Sequence, residues 1–336
     1  MVEFRAMITK ILISLIWVAG LQAPVAQAPR AQRSPEETAR LSAQADELRA
    51  ILAKATKLPL QQAEILPTAP SAGWEMGMTS WVAADSKGLI YLLQRGDKAD
   101  PVVVMNREGK VVRSWGKGMY TMPHAIRVDP QGNVWTTDAA SSMVYKFSAD
   151  GKKLMEINVG GQPSPCPNNF CSTTDIAFAR NGHVFISDGY RNARILEYSA
   201  AGQKLKEWGK PGTGPGEFVL PHSIQIDEND IIYVADRENG RVQRFDTNGQ
   251  YLGEWAQFGK TFGLKVAGGA IWLATQPRNL PNLSPGWMIK LDKKTGNVLG
   301  YVEITGVHGM DMLGNGELIV GPGPEAKHPQ WFKLPR

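Results

Sequence analysis

One turn motif recurs along this 336-residue chain and limits its fold more than any other feature. Asp85-Ser86-Lys87-Gly88 leads into Leu89-Ile90-Tyr91, and Asp129-Pro130-Gln131-Gly132 into Val134-Trp135-Thr136-Thr137-Asp138. Ala179-Arg180-Asn181-Gly182 precedes Val184-Phe185-Ile186-Ser187-Asp188, and Asp227-Glu228-Asn229-Asp230 precedes Ile231-Ile232-Tyr233-Val234-Ala235-Asp236. Val266-Ala267-Gly268-Gly269 with Ile271-Trp272-Leu273, and Leu313-Gly314-Asn315-Gly316 with Leu318-Ile319-Val320, complete six copies. Hairpin signals follow within the units, as at Asp150-Gly151, Ala201-Gly202 and Asn248-Gly249. A marker position five residues before the first turn Asp, or its equivalent, falls at Ser80, His124, Thr174, His222, Phe262 and His308. Six units of about four strands, with a period of about 40–50 residues, predict an all-β chain folded as a six-bladed β-propeller. The segment at Trp331-Phe332 is expected to supply a strand of the last blade, and a strand before Ser80 to help close the ring.

Composition agrees. With 43% apolar residues the chain has enough surface to bury and is not a disordered polymer. Two cysteines exclude a disulfide-dense scaffold and a four-cysteine zinc module. The net charge of +5 is scattered, so nucleic acid is not an expected partner. At the N-terminus, Arg5 and Lys10 precede an apolar run over 11–21 and an Ala26-Gln27-Ala28 site, the layout of a signal peptide over 1–28. Pro29 in the first mature position opposes cleavage and leaves a membrane anchor as the alternative. Either way the protein is expected to be exported, periplasmic or secreted. There Cys166 and Cys171, in a Pro/Asn-rich loop, either pair locally or stay free. Residues 29–72 read as a helix and linker. Ser34 is the N-cap, Pro35 the first turn and Glu37 the capping-box partner, with Leu41, Ala45, Leu48, Ile51 and Leu52 on one face. The propeller is expected over 73–336, and no feature of the sequence reports the oligomeric state.

Chemistry enters through the histidines. The chain has five, and His124, His222 and His308 share the marker register in units two, four and six. Innermost propeller strands begin beside the central channel, so these three imidazoles are expected to converge there. Three neutral imidazoles with an open fourth position make a catalytic zinc set. Arg95, Tyr190 and Arg237 follow the second strands of units one, three and four and are expected on the same rim. An Arg fork suits a carboxylate. A Tyr beside Arg and a dication is expected to have a lowered pKa and to act as a base. Arg194 reads instead as an ion-pair partner of a nearby Asp.

Arg95-Gly96-Asp97, Met122-Pro123-His124, Phe170-Cys171 with Thr174-Asp175, Ser187-Asp188-Gly189-Tyr190, Leu220-Pro221-His222-Ser223 and Ala235-Asp236-Arg237-Glu238-Asn239-Gly240-Arg241 occur in that order. The set resembles the peptidyl-α-hydroxyglycine α-amidating lyase family of NHL-repeat propellers, over roughly residues 74–255. The resemblance implies zinc on His124, His222 and His308, Tyr190 as the base, and Arg95 and Arg237 around the substrate carboxylate and the Tyr. It implies a small-molecule or peptide substrate, an N-acyl-α-hydroxyglycine cleaved to amide and glyoxylate. It also implies a structural calcium on the carbonyls of Val82 and Ile126 and on an Asp directly after the third His. Here that residue is Gly309, and Asp311 is the candidate replacement. The family pairs the counterpart of Cys171 with a Cys directly after the Tyr. Arg191 stands there, and Cys166 is the substitute partner. Two rival classes are a non-catalytic binding propeller and a different metal-dependent propeller hydrolase. The latter commonly use acidic calcium ligands, and no Asp/Glu cluster shares the marker register.

Overall fold

A computed structural model describes residues 34–64, 66–161, 166, 168–282, 284–321 and 328–333. The expected signal segment, 1–28, lies outside them. Among the described residues no helix is long and apolar enough to cross a membrane.

The helix α1, Pro35–Ala53, starts where the sequence predicts, with Ser34 Oγ accepting the Glu37 amide at 3.1 Å. Leu41, Ala45, Leu48 and Leu52 are its buried face, and Ile51 stays at the margin. Six four-stranded antiparallel sheets follow as blades. Their innermost strands are Thr79–Ala84, Pro123–Val128, Thr173–Phe178, Pro221–Ile226, Lys260–Ala267 and Met310–Met312. Blades one to five run in chain order from the inside outwards. Blade six takes Met310–Met312, Leu318–Val320 and Gln330–Lys333 from the C-terminal end and Gln61–Glu64 from the N-terminal end. Ala63 pairs with Trp331 there. The 58–71 stretch, expected as a linker, thus lends a strand to the propeller.

The core is six apolar seams, one between each pair of neighbouring blades. Strand alternation divides each blade between two of them. Ile90 and Leu92 face blade six, joining Ile319 and Trp331. Tyr91 and Leu93 face blade two, joining Ala125, Val134 and Phe147. Leu48 and Leu52 of α1 enter the seam of blades four and five beside Tyr233, Leu264 and Leu273. With both faces covered, the second strands are buried along their whole length.

The recurring turns build themselves locally. Asp85 Oδ1 accepts the Lys87 and Leu89 amides at 2.9 Å each, and Asp129 and Asp227 repeat the pattern two and four residues on. The fourth turn residue is left-handed, with φ of 81°, 83° and 83° at Gly88, Gly132 and Gly182, and 59° at Asp230.

The marker positions carry the feature that matters for function. Strand register slips at Ser80, at His124-Ala125, at Thr174, at His222 and at Phe262. A β-bulge inserts an unpaired residue and re-aims its side chain. Five blades therefore share one device at one place, and His308 holds the same register two residues before Met310–Met312.

Candidate metal centre

His124, His222 and His308 come together on the propeller axis, with ring centroids 4.9, 4.9 and 5.1 Å apart. Among the described residues they form the cluster whose ligand atoms all lie within 4.8 Å of one another. All three are buried. Each ring is held from behind by the next blade. His124 Nδ1 meets the Thr174 carbonyl at 2.7 Å, His222 Nδ1 the Phe262 carbonyl at 2.7 Å, and His308 Nδ1 the Ser80 carbonyl at 2.5 Å. A carbonyl only accepts, so each Nδ1 carries the hydrogen and each Nε2 keeps its lone pair. The blades without His supply those carbonyls, so the ring alternates ligand and anchor. Burial first holds His124 and His222 well below the usual 6.5, and neighbouring rings and Arg95 or Arg237 add to it. Burial, then Arg95, brings His308 to about 3. Three neutral, oriented imidazoles fit a zinc ion.

Tyr190 covers this triad. Its hydroxyl lies 2.8 Å from His124 Nε2 and 3.3 Å from His222 Nε2, both acceptors, so the phenol donates to His124. Arg95 donates from Nε to the Pro123 carbonyl at 2.9 Å and from Nη2 to Ser80 Oγ at 2.9 Å. The Arg237 guanidinium lies over the Phe262 ring at 4.7 Å and pairs with Glu238 at 3.0 Å. Burial pushes the Tyr190 phenol up, and Arg237 and Arg95 pull it down without overcoming burial. The lowered pKa expected of Tyr190 is therefore not produced by the two arginines alone. Arg194 pairs with Asp188 at 2.8 Å, away from the triad.

Two side chains carry no assigned role in the sequence reading, Phe170 although it stands in the Phe170-Cys171 motif. Phe170 packs between Arg95, 5.4 Å from its ring, and Tyr190, 4.9 Å centroid to centroid. It precedes Cys171, which is disulfide-bonded to Cys166. The second feature lies below the histidines. Trp81, fully buried, floors all three rings at 5.7, 6.0 and 5.5 Å. The Arg127 guanidinium stacks beneath it at 5.1 Å. A signal for Arg127 was present three residues after the marker, where Arg127, Gln225, Lys265 and Asp311 form a second polar register.

That second register decides the fit of calcium. A Cβ at Gly309, the position of the family's Asp, would collide with the Trp81 indole. The Asp311 carboxylate is taken up by Lys265 Nζ at 2.5 Å and by the Ala84 amide at 3.0 Å. Val82 and Ile126 sit two residues past Ser80 and His124, in strands that also carry Trp81 and Arg127. These residues do not fit a calcium ion, because two side-chain cations already serve the available acids.

A family model for a 6-bladed β-propeller matches residues 169–257. Peptidyl-α-hydroxyglycine α-amidating lyase 1 of Drosophila melanogaster is 39% identical over 160 residues, 44% of this chain and 29% of that protein. Peptidylglycine α-amidating monooxygenase of Rattus norvegicus is 34% identical over 203 residues, 51% of this chain and 21% of that protein. The chain thus spans less than a third of either relative. Among solved structures, an inactive virginiamycin B lyase from Staphylococcus aureus superimposes with a TM-score of 0.59 at 15% identity, covering 82% of this chain and 100% of that one. At that identity the likeness is one of fold. This chain is a six-bladed β-propeller and a sequence relative of proteins named peptidyl-α-hydroxyglycine α-amidating lyase.

Proposed function

We propose that the chain is a zinc-dependent lyase that cleaves the N–C bond of an N-acyl-α-hydroxyglycine, such as a peptidyl-α-hydroxyglycine, to an amide and glyoxylate. The observation that carries the reading is the Tyr190 hydroxyl seated on two of three oriented, neutral Nε2 atoms. A zinc ion on His124, His222 and His308 would supply Lewis acidity to the substrate hydroxyl and positive charge beside the Tyr190 oxygen.

The residues divide the remaining work. Tyr190, as the phenolate that zinc and the two arginines would favour, accepts the hydroxyl proton as the carbon becomes the aldehyde of glyoxylate, and returns that proton to the departing nitrogen. The C–N bond breaks with its electron pair on nitrogen, and the nitrogen takes up a proton, so no oxidant is consumed. Arg95 and Arg237 offer guanidinium charge for the carboxylate and oppose the burial that otherwise keeps Tyr190 protonated. Holding the carboxylate between them would fix the hydroxyl near Tyr190 and reduce the entropy of reaching the transition state.

The test is glyoxylate release from an N-acyl-α-hydroxyglycine. Tyr190→Phe is expected to lower turnover by at least about 10²-fold, the scale of losing a general base. Near-normal turnover in that variant would refute the role. Elemental analysis is expected to give about one zinc per chain, lost in His222→Ala.

A further inference from the structure

We infer that Arg127 is the axial cation of this propeller, closing the lower channel in place of a structural calcium ion. The inference goes beyond the proposed reaction and does not depend on it. One side chain meets every blade. Arg127 belongs to blade two and stacks on Trp81 of blade one at 5.1 Å. Its Nε and Nη2 fork to Asp175 of blade three at 2.9 and 2.7 Å. Nη2 reaches Ser223 Oγ of blade four at 3.4 Å and the Leu264 carbonyl of blade five at 3.5 Å. Nη1 donates to the Met310 carbonyl of blade six at 3.0 Å.

Gathering carboxylate, hydroxyl and backbone carbonyl oxygens from separate strands is what a hard divalent cation does by coordination. A planar guanidinium does it here by hydrogen bonds of fixed direction. The surrounding residues are fitted to the exchange. Asp175 Oδ2 also accepts from Ser223 Oγ at 2.7 Å and the Ile224 amide at 3.1 Å, so its charge is met from three sides. Lys265 answers Asp311. Gly309 leaves room for the Trp81 indole, which stands between Arg127 and the three histidines.

The test is thermal unfolding of the full chain in three states: as prepared, treated with EGTA and then restored with one equivalent of zinc chloride, and in millimolar calcium chloride, with calcium measured after dialysis. A cation that binds only the folded state raises the midpoint. The three midpoints are expected to coincide, with no stoichiometric calcium retained. A calcium ion held through dialysis, whose removal lowers the midpoint, would overturn the inference. Arg127→Met is expected to lower the midpoint by several degrees, because Asp175 is left buried without its partner. If Arg127→Met does not fold, Arg127→Lys keeps the charge without the fork, and a midpoint below the parent is expected. Either variant matching the parent midpoint would also overturn it.

Discussion

At the scale of single residues, the state of the titratable groups at the centre is settled by their fixed partners. The Nδ1–carbonyl bonds leave three Nε2 lone pairs directed inward, while Lys265 and Arg127 settle Asp311. Burial alone would push the Asp311 carboxyl up, but Lys265 and Arg127 outweigh it and hold the group below 3.8. A carboxyl with a lowered folded-state pKa adds stability that is complete above its unfolded value and lost as pH falls through the folded one. Asp311→Asn is therefore expected to cost about 1.5–3 kcal/mol near pH 7, the range for hydrogen bonds to charged groups. The gap to the parent should narrow as pH drops below about 4. Urea titrations at several pH values check this, and a gap independent of pH would refute it. The histidines could be read from sequence because they share one register and one residue type. Trp81 could not, because it looks like an ordinary member of a buried strand until six strands are brought to one axis, and Arg127 shows only as a polar residue three past the marker, without its partners.

At the scale of elements, bulges and turns aim these residues. The sequence shows where strands and turns alternate, since the Asp turns are local. It does not show the slips at Ser80, Thr174, His222 and Phe262, which depend on pairing with the second strand. The Ser187-Asp188-Gly189-Tyr190 turn has a similar hidden constraint. A Cβ at Gly189 would collide with the Pro221 carbonyl oxygen, one residue before His222. That close approach ties the loop holding Tyr190 to the strand holding a triad histidine. Gly189→Ala is expected to cost about 1–3 kcal/mol through overpacking. It should also weaken metal binding, which Gly314→Ala should not, since nothing lies within 4 Å of a Cβ there and its backbone is not left-handed. Competition with a chelator measures the difference, and equal affinities in the two variants would sink the argument.

At the scale of the whole molecule, the ring is closed by two segments far apart in the chain. Gln61–Glu64 pairs with Gln330–Lys333 at the outer edge of blade six. Gln61-Gln62-Ala63-Glu64 has no apolar alternation, so its sequence reads as linker, and its strand character comes wholly from the edge it meets. The closure bears on the metal centre because His308 enters blade six and its Nδ1 is anchored on blade one through the Ser80 carbonyl. Replacing 61–64 by Gly-Ser-Gly-Ser raises the entropy cost of fixing this edge strand and lowers its β-propensity while α1 stays in place. The lost pairing should cost on the order of 2–4 kcal/mol, a few net hydrogen bonds. Trp331, now buried, should become exposed and shift its fluorescence to the red. Because His308 alone among the three bridges the last blade to the first, metal affinity should fall together with the urea midpoint. A midpoint that falls with metal affinity unchanged would mean that the anchor of His308 on the Ser80 carbonyl suffices without the outer strand, and that closure serves stability only.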